Sequence, residues 1–193
     1  METPLGPELV VEKCMTEQKK VIYTIGHSTR SIEEFVAMLQ AFSVNVLADV
    51  RSFPGSRRYP HFNREFLQNA LPNVGIEYIH FKNLGGRRKP VENSHNTRWR
   101  NAAFQGYADY METDEFKEPI SRLQELATRK HVAYMCSEAV WWSCHRSLIS
   151  DYLKIRGWTV RNIMGIGKAE EHPFTSAARI VEGKLSYEGD PKE

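Results

Sequence analysis

The sequence lacks most of what would tie it to a membrane, an oxidising compartment or a modular chain. None of its apolar runs approaches the ~20 residues needed to cross a bilayer, so no membrane partner is expected. Three cysteines cannot build a disulfide framework for 193 residues. Cys14 lies in a polar leader, and Cys136 and Cys144 read as reduced thiols. No unit of roughly 20–50 residues repeats, and no Pro/Gly/Ser-rich linker divides the chain. The first twenty residues carry acids and the Lys19-Lys20 pair but no apolar stretch, unlike a targeting peptide. They are expected to form a disordered arm (1–20) ahead of one α/β domain (21–175) and a short C-terminal extension (176–193). The expected compartment is the cytosol.

What is present is an ordinary globular composition with an uneven charge map. Apolar residues make up 41% and charged residues 26%, enough to bury a core. The formal net charge of +2 selects no partner, but the cations are clustered. Arg51, Arg57, Arg58, Arg64, Arg87, Arg88, Arg98 and Arg100 share one stretch with few acids. That pattern fits a local anion-binding surface, and equally a set of solvated surface arginines.

Strand and helix signals alternate along the body. Val21–Ile25, Asn45–Val50, Ile76–Phe81, Val132–Met135 and Thr159–Met164 read as buried strands. Ser31 with Glu34 three residues on reads as a capping box for a helix burying Phe35, Met38, Leu39 and Phe42. Further helices are expected over Asn63–Ala70 (Phe66 and Leu67 inward), Trp99–Met111, Asp114–Arg129, and from Ser143 as N-cap to Gly157 as the residue past its end. Phe53–Phe62 is expected to be a loop, Arg87–Arg98 a mobile basic loop, and 177–187 a small hairpin about Glu182-Gly183. This alternation implies a single α/β domain: a mainly parallel sheet flanked by helices, with the site at the carboxyl ends of the strands.

Chemistry-bearing residues follow the strands. His27 and Ser28 come after the first, Asp49 and Arg51 end the second, Gly85, Gly86 and Arg87 follow the third, and Cys136 with Glu138 ends the fourth. Ser143 as N-cap would set Cys144, His145 and Arg146 in a first helical turn, where free N–H groups and the helix dipole favour a thiolate. Cys144 or Cys136 then qualifies as nucleophile or redox thiol, and Glu138 and His145 as proton-transfer groups. Cys144 as a small buried hydrophobe is the plain alternative. Cys136, Cys144 and His145 also offer a weak zinc set, since the spacing matches no paired CxxC pattern; no metal or other cofactor is the primary expectation. Gly85 and Gly86 beside Arg87 suit an anion, as does Arg57. Asp49 is expected to orient Arg51. Arg57-Arg58-Tyr59, Trp99-Arg100 and Trp141-Trp142 interleave cations with aromatics, as nucleic-acid surfaces do and as ordinary packing also does.

Taken together, Thr24-Ile25-Gly26-His27-Ser28, Asp49-Val50-Arg51-Ser52-Phe53-Pro54, Ser56-Arg57, Leu84-Gly85-Gly86-Arg87, Cys136-Ser137-Glu138 and Cys144-His145-Arg146 resemble the family catalogued as domain of unknown function 488. The likeness spans about Val21 to Thr175, and the stretch from Glu138 to Arg146 is similar to one branch of the family. The resemblance implies that these positions form one site, and it assigns no chemistry to them. The residues themselves lead to an enzyme acting on an anionic substrate (phosphorylated, nucleotide or nucleic acid) through a Cys/Glu/His/Arg pocket. The alternatives are a nucleic-acid-binding module without catalysis, or a zinc-dependent hydrolase.

Overall fold

The computed structural model describes residues 20–189, so the arm expected over 1–20 falls, except for Lys20, outside the described residues. Five parallel strands form the sheet: β1 (Val21–Gly26), β2 (Val46–Asp49), β3 (Glu77–His80), β4 (Val132–Cys136) and β5 (Thr159–Gly165). A sixth, β6 (Lys168–Glu171), folds back antiparallel on β5, giving the order β3-β2-β4-β1-β5-β6. The helices are α1 (Ile32–Gln40), α2 (Arg64–Ala70), α3 (Ala102–Met111), α4 (Asp114–Arg129) and α5 (Arg146–Ile155). The expected α/β class with a mainly parallel sheet is therefore the observed one. None of the helices among the described residues is long and apolar enough to cross a membrane.

Because side chains alternate across a strand, the sheet feeds two cores. Ile22, Val46, Ala48, Val132, Tyr134 and Cys136 face α3, α4 and α5 through Tyr107, Phe116, Leu123 and Leu148. Ile25, Leu47, Ala133, Met135 and Ile163 face α1 and α2 through Phe35, Met38, Leu39 and Leu67. Each fully buried Leu, Ile or Phe contributes roughly 1.5–3 kcal/mol relative to exposure.

Topology selects the ligand edge. β1 and β4 are neighbours, with Gly26 opposite Cys136. From β1 the chain leaves through α1 towards β2; from β4 it leaves through α5 towards β5, on the other side. Right-handed crossovers running in opposite directions put α1 and α5 on opposite faces. The gap this opens beyond β1 and β4 is the switch point at which α/β sheets bind ligands.

Local chemistry sets the helix ends. Ser31 Oγ accepts the Glu34 N–H at 3.1 Å, as a capping residue should, while Glu34 pairs with Arg30 at 3.4 Å. In α4, Pro119 has no N–H and so frees the carbonyl of Glu115. Tyr110 Oη donates to that carbonyl at 3.1 Å, sharing its proton with Asn83 O. α5 ends with the Gly157 N–H bonded to Lys154 O and Trp158 N–H to Leu153 O, a Schellman arrangement.

Several boundaries differ from expectation. Trp141–Ser143 forms a single 3-10 turn, Ser143 Oγ donates to Val140 O, and α5 begins only at Arg146 with His145 at its cap. Cys144 thus precedes the helix. α3 starts three residues later than expected, where Asn101 Oδ1 accepts the Ala103 N–H. Phe66 is exposed, because Leu67 and the capping residue Leu71 take the inward line of α2. The segment expected to be a mobile loop is irregular but anchored: Asp109 accepts from Val91 N–H, Ser94 Oγ and Asn96 Nδ2, and Arg98 Nε donates to Ala177 O. The expected hairpin exists as β7 (Arg179–Val181) and β8 (Lys184–Ser186), and Ala177 and Tyr187 beside it are buried in the α3–α5 core.

Candidate functional site

A cavity of about 700 Å³ opens at the predicted edge, between the ends of β1, β2 and β4. His27, Ser28, Arg51, Gly86, Arg87, Cys136, Glu138, Cys144 and His145 line it. The other expected site residues do not. Asp49 and Arg146 are buried behind its walls, Gly85 packs on Ser52, and Arg57 is exposed outside the lining.

One wall belongs to the α1/α2 side of the sheet. Asp49 is fully buried and holds Arg51 in a fork, with Oδ1 accepting from Nε (2.9 Å) and Oδ2 from Nη2 (2.6 Å). Tyr78 Oη also donates to Oδ2 at 2.7 Å; burial, then the Asp49 charge, pushes the Tyr78 hydroxyl well up, so it stays a donor. Asp49 therefore orients Arg51, as expected. Arg51 Nη1 in turn donates to His27 Nε2 at 3.2 Å, and His27 Nδ1–H donates to Ser28 O at 2.9 Å. Burial, and then the Arg51 charge, lowers the His27 pKa to about 4. His27 is thus a neutral imidazole of fixed tautomer, stacked on Phe62 at 4.2 Å. Ser28 adopts a left-handed backbone (φ 50°), local strain of the kind concentrated at binding sites.

The other wall belongs to the α3–α5 side. His145 Nε2–H donates to Val50 O at 3.1 Å, which leaves the Nδ1 lone pair facing sulfur: 3.6 Å from Cys144 Sγ and 3.9 Å from Cys136 Sγ. A side chain at Gly86 would strike the His145 ring at 2.4 Å, and one at Gly26 would strike the Glu138 carbonyl, so both close approaches require glycine. Both cysteines are free and buried. Burial alone would raise the Cys144 thiol, but the Cys136 S–H and the Arg146 guanidinium and backbone N–H bring it down to about 6. The contact with Cys144, and then burial, pushes Cys136 up to about 12. Cys144 is the sulfur that ionises first.

Arg146 is the residue whose placement departs furthest from expectation. It is only 1% exposed, and its Nη1 donates to Thr24 Oγ1 (3.0 Å) and Nη2 to Glu138 O (2.6 Å). Among the described residues no carboxylate pairs with it, and its Nε has no acceptor. A buried guanidinium calls for a nearby anion, and Cys144 occupies that position. Arg146 therefore supports the sulfur from beneath and does not touch the pocket. Glu138 lends Arg146 its carbonyl while its side chain remains exposed at the rim.

Other contributors were less visible in the sequence. Thr24, which entered through the family resemblance, and Tyr78, which carried no signal in the sequence, hold the walls. Tyr59, Phe104 and Val140 add apolar lining. Glu138, Ala139 and Val140 are successive lining residues whose N–H groups have no protein acceptor among the described residues, a run of amides suited to an anion. Arg87 is exposed at the mouth with its guanidinium 5.2 Å from the Phe53 ring. Trp99 packs on Phe104 and Tyr187, and Trp141 on His172. Of the two Trp-containing pairs proposed as stacking surfaces, only Trp142 is an exposed large apolar group, at 55%.

Comparison with known proteins adds a family and no chemistry. No curated protein and no solved structure matches the chain significantly. The model of the family described as "Domain of unknown function DUF488" matches residues 31–153, from the start of α1 into α5. The match takes in Asp49, Arg51, Arg87 and the whole Cys136–Arg146 segment, while His27 and Ser28 lie just before it. With more than half of its length matched, the chain belongs to the DUF488 family.

Proposed function

We propose that the protein is an enzyme that binds an anionic substrate in the switch-point pocket and transforms it at the Cys136–Cys144–His145 cluster. The observation that carries this reading is convergence. A sulfur–imidazole cluster and the cation Arg87 line one cavity together with Glu138, Ala139 and Val140, whose amides have no protein acceptor; among the described lining residues Glu138 is the one carboxylate. Arg87 and the amides of Glu138, Ala139 and Val140 receive the anion, and His27 and Ser28 shape the opposite wall. Glu138, exposed at the rim, is positioned for proton transfer. Arg51, spent on Asp49 and His27, supports the wall. Reduced thiols at such a site suit the cytosol.

The test is calorimetric titration of the full chain with inorganic phosphate and with nucleoside monophosphates at low salt. Arg87→Met should weaken the tightest of these by about ten- to hundredfold, a charge-assisted hydrogen bond being worth roughly 1.5–3 kcal/mol. Absence of binding by every phosphate compound would reject the anionic-substrate reading. Full turnover by a Cys136→Ser/Cys144→Ser protein, once a substrate is known, would remove the cluster from the chemistry.

Phe53 in the pocket lining and Trp142 outside it, exposed at 66% and 55%, favour a second reading in which the substrate is a nucleic-acid strand whose bases stack on these rings. A single-stranded oligonucleotide should then bind with an affinity that falls steeply with salt. Binding without salt dependence, or none at low salt, rejects that version.

A further inference from the structure

We propose that Cys136, Cys144 and His145 form a three-ligand zinc(II) site whose fourth coordination position faces the pocket. This rests on the reading of the pocket as the reactive site and assigns its sulfurs the role of ligands.

Zinc binds sulfur at ~2.3 Å and imidazole nitrogen at ~2.0–2.1 Å in a tetrahedron. Those lengths require sulfur and nitrogen ligands ~3.5 Å apart and two sulfurs ~3.8 Å apart. Here the two sulfur–nitrogen separations are 3.6 and 3.9 Å, and the three ligand atoms all lie within 4.8 Å of one another. The two sulfur–nitrogen separations need a shift of a few tenths of an ångström, and the sulfurs one of at most about 1 Å, to close the set on an ion.

The surroundings agree. A metal-ligating histidine usually donates its other ring N–H to a carbonyl or carboxylate. His145 donates Nε2–H to Val50 O, so Nδ1 is left as the ligand atom. The imidazole cannot swing away, because the Gly86 backbone packs against its ring. Arg146, buried without a carboxylate, places one positive charge beside Cys144.

The number of ligands distinguishes the kind of site. Structural zinc is closed by four protein ligands, whereas catalytic zinc keeps one position open. Among the described residues the ligand cluster contains three side chains, and all three line the cavity. The free vertex therefore lies on the side from which an anion held by Arg87 would approach. An ion there polarises an oxygen of a bound phosphate or carboxylate as a Lewis acid.

The experiment uses the full chain, purified without chelator. Metal analysis should find about one zinc per chain, and cobalt(II) exchanged into the site should give a thiolate-to-cobalt charge-transfer band with strong visible bands of a tetrahedral centre. In chelator-treated wild-type protein, adding zinc should slow alkylation of Cys136 and Cys144 by about tenfold or more and leave Cys14 unaffected. This second readout needs no variant that might fail to fold. Folded protein that takes up neither zinc nor cobalt, with Cys136 and Cys144 alkylating equally fast with and without zinc, would overturn the proposal. Phosphate binding measured alongside separates the two readings: zinc-free protein that still binds phosphate leaves the pocket reading standing, and zinc-loaded protein that binds no anion does the reverse.

Discussion

Acid should weaken this protein through one imidazole before its carboxylates titrate. His27 is buried, its Nε2 accepts from Arg51, and its pKa falls from 6.5 to about 4. The unfolded chain binds this proton from about pH 6.5 downward, and the folded chain refuses it until about pH 4. The stability associated with neutral His27 is therefore complete above pH 6.5, declines as pH falls between those two values and levels off below the lower one. Between about pH 7 and pH 4.5 the loss is on the order of 2–3 kcal/mol, from a depression of ~2.5 units at 1.36 kcal/mol each, incompletely realised at pH 4.5. Urea unfolding of wild type and His27→Gln at the two pH values isolates this contribution, since glutamine does not titrate and every other group is common to both. Wild type should lose about 2–3 kcal/mol more than the variant. Equal losses, or an imidazole NMR titration of His27 with a midpoint near 6.5, would refute the reasoning.

Gly86→Ala should leave the fold intact but displace the His145 ring, at an overpacking cost of about 1–3 kcal/mol; thermal unfolding reads the cost, and slower zinc uptake reads the displacement. Asp151→Asn should destabilise by about 3 kcal/mol or more, because the buried carboxylate accepts from His172 Nε2, Thr175 N–H, Thr175 Oγ1 and Tyr187 Oη, and an amide nitrogen would meet two of these donors head-on. Its expected signature is early exposure of 172–187 to protease. Tyr110→Phe should cost about 1 kcal/mol and speed amide exchange at the start of α4, since the carbonyl freed by Pro119 loses its donor.

The sequence was most informative where one local rule acted alone. α4 begins at Asp114 and ends at Arg129 as expected, because two acids open it and Phe116, Ile120 and Leu123 keep a steady helical spacing. The strand-end rule located the pocket because every parallel strand delivers its last residues to the same edge. Reading failed where two local choices competed. Ser143 resembles a cap, yet its hydroxyl turns back to Val140 O once the paired tryptophans close a tight turn. β6 has a single apolar residue in Lys168–Glu171 and owes its existence to the hydrogen-bonding edge of β5. Arg146 reads as an anion-holding cation of a first helical turn; only the packing of the loop from Ser137 to Ser143 over it reveals burial. No periodicity encodes such a placement, since it depends on backbone remote in space.

The two faces of the sheet supply the two walls of the pocket. His27, Arg51 and their brace Asp49 answer to the core beneath α1 and α2, through Phe62; the sulfurs and His145 answer to the core beneath α3, α4 and α5. The site is thus a seam between the two cores that one sheet divides. Compensating changes selected for a damaged sulfur wall should map to Tyr107, Phe116 or Leu148, and those for a damaged His27 wall to Phe35, Phe62 or Leu67. Such a genetic map would record the division of the fold without any knowledge of the substrate.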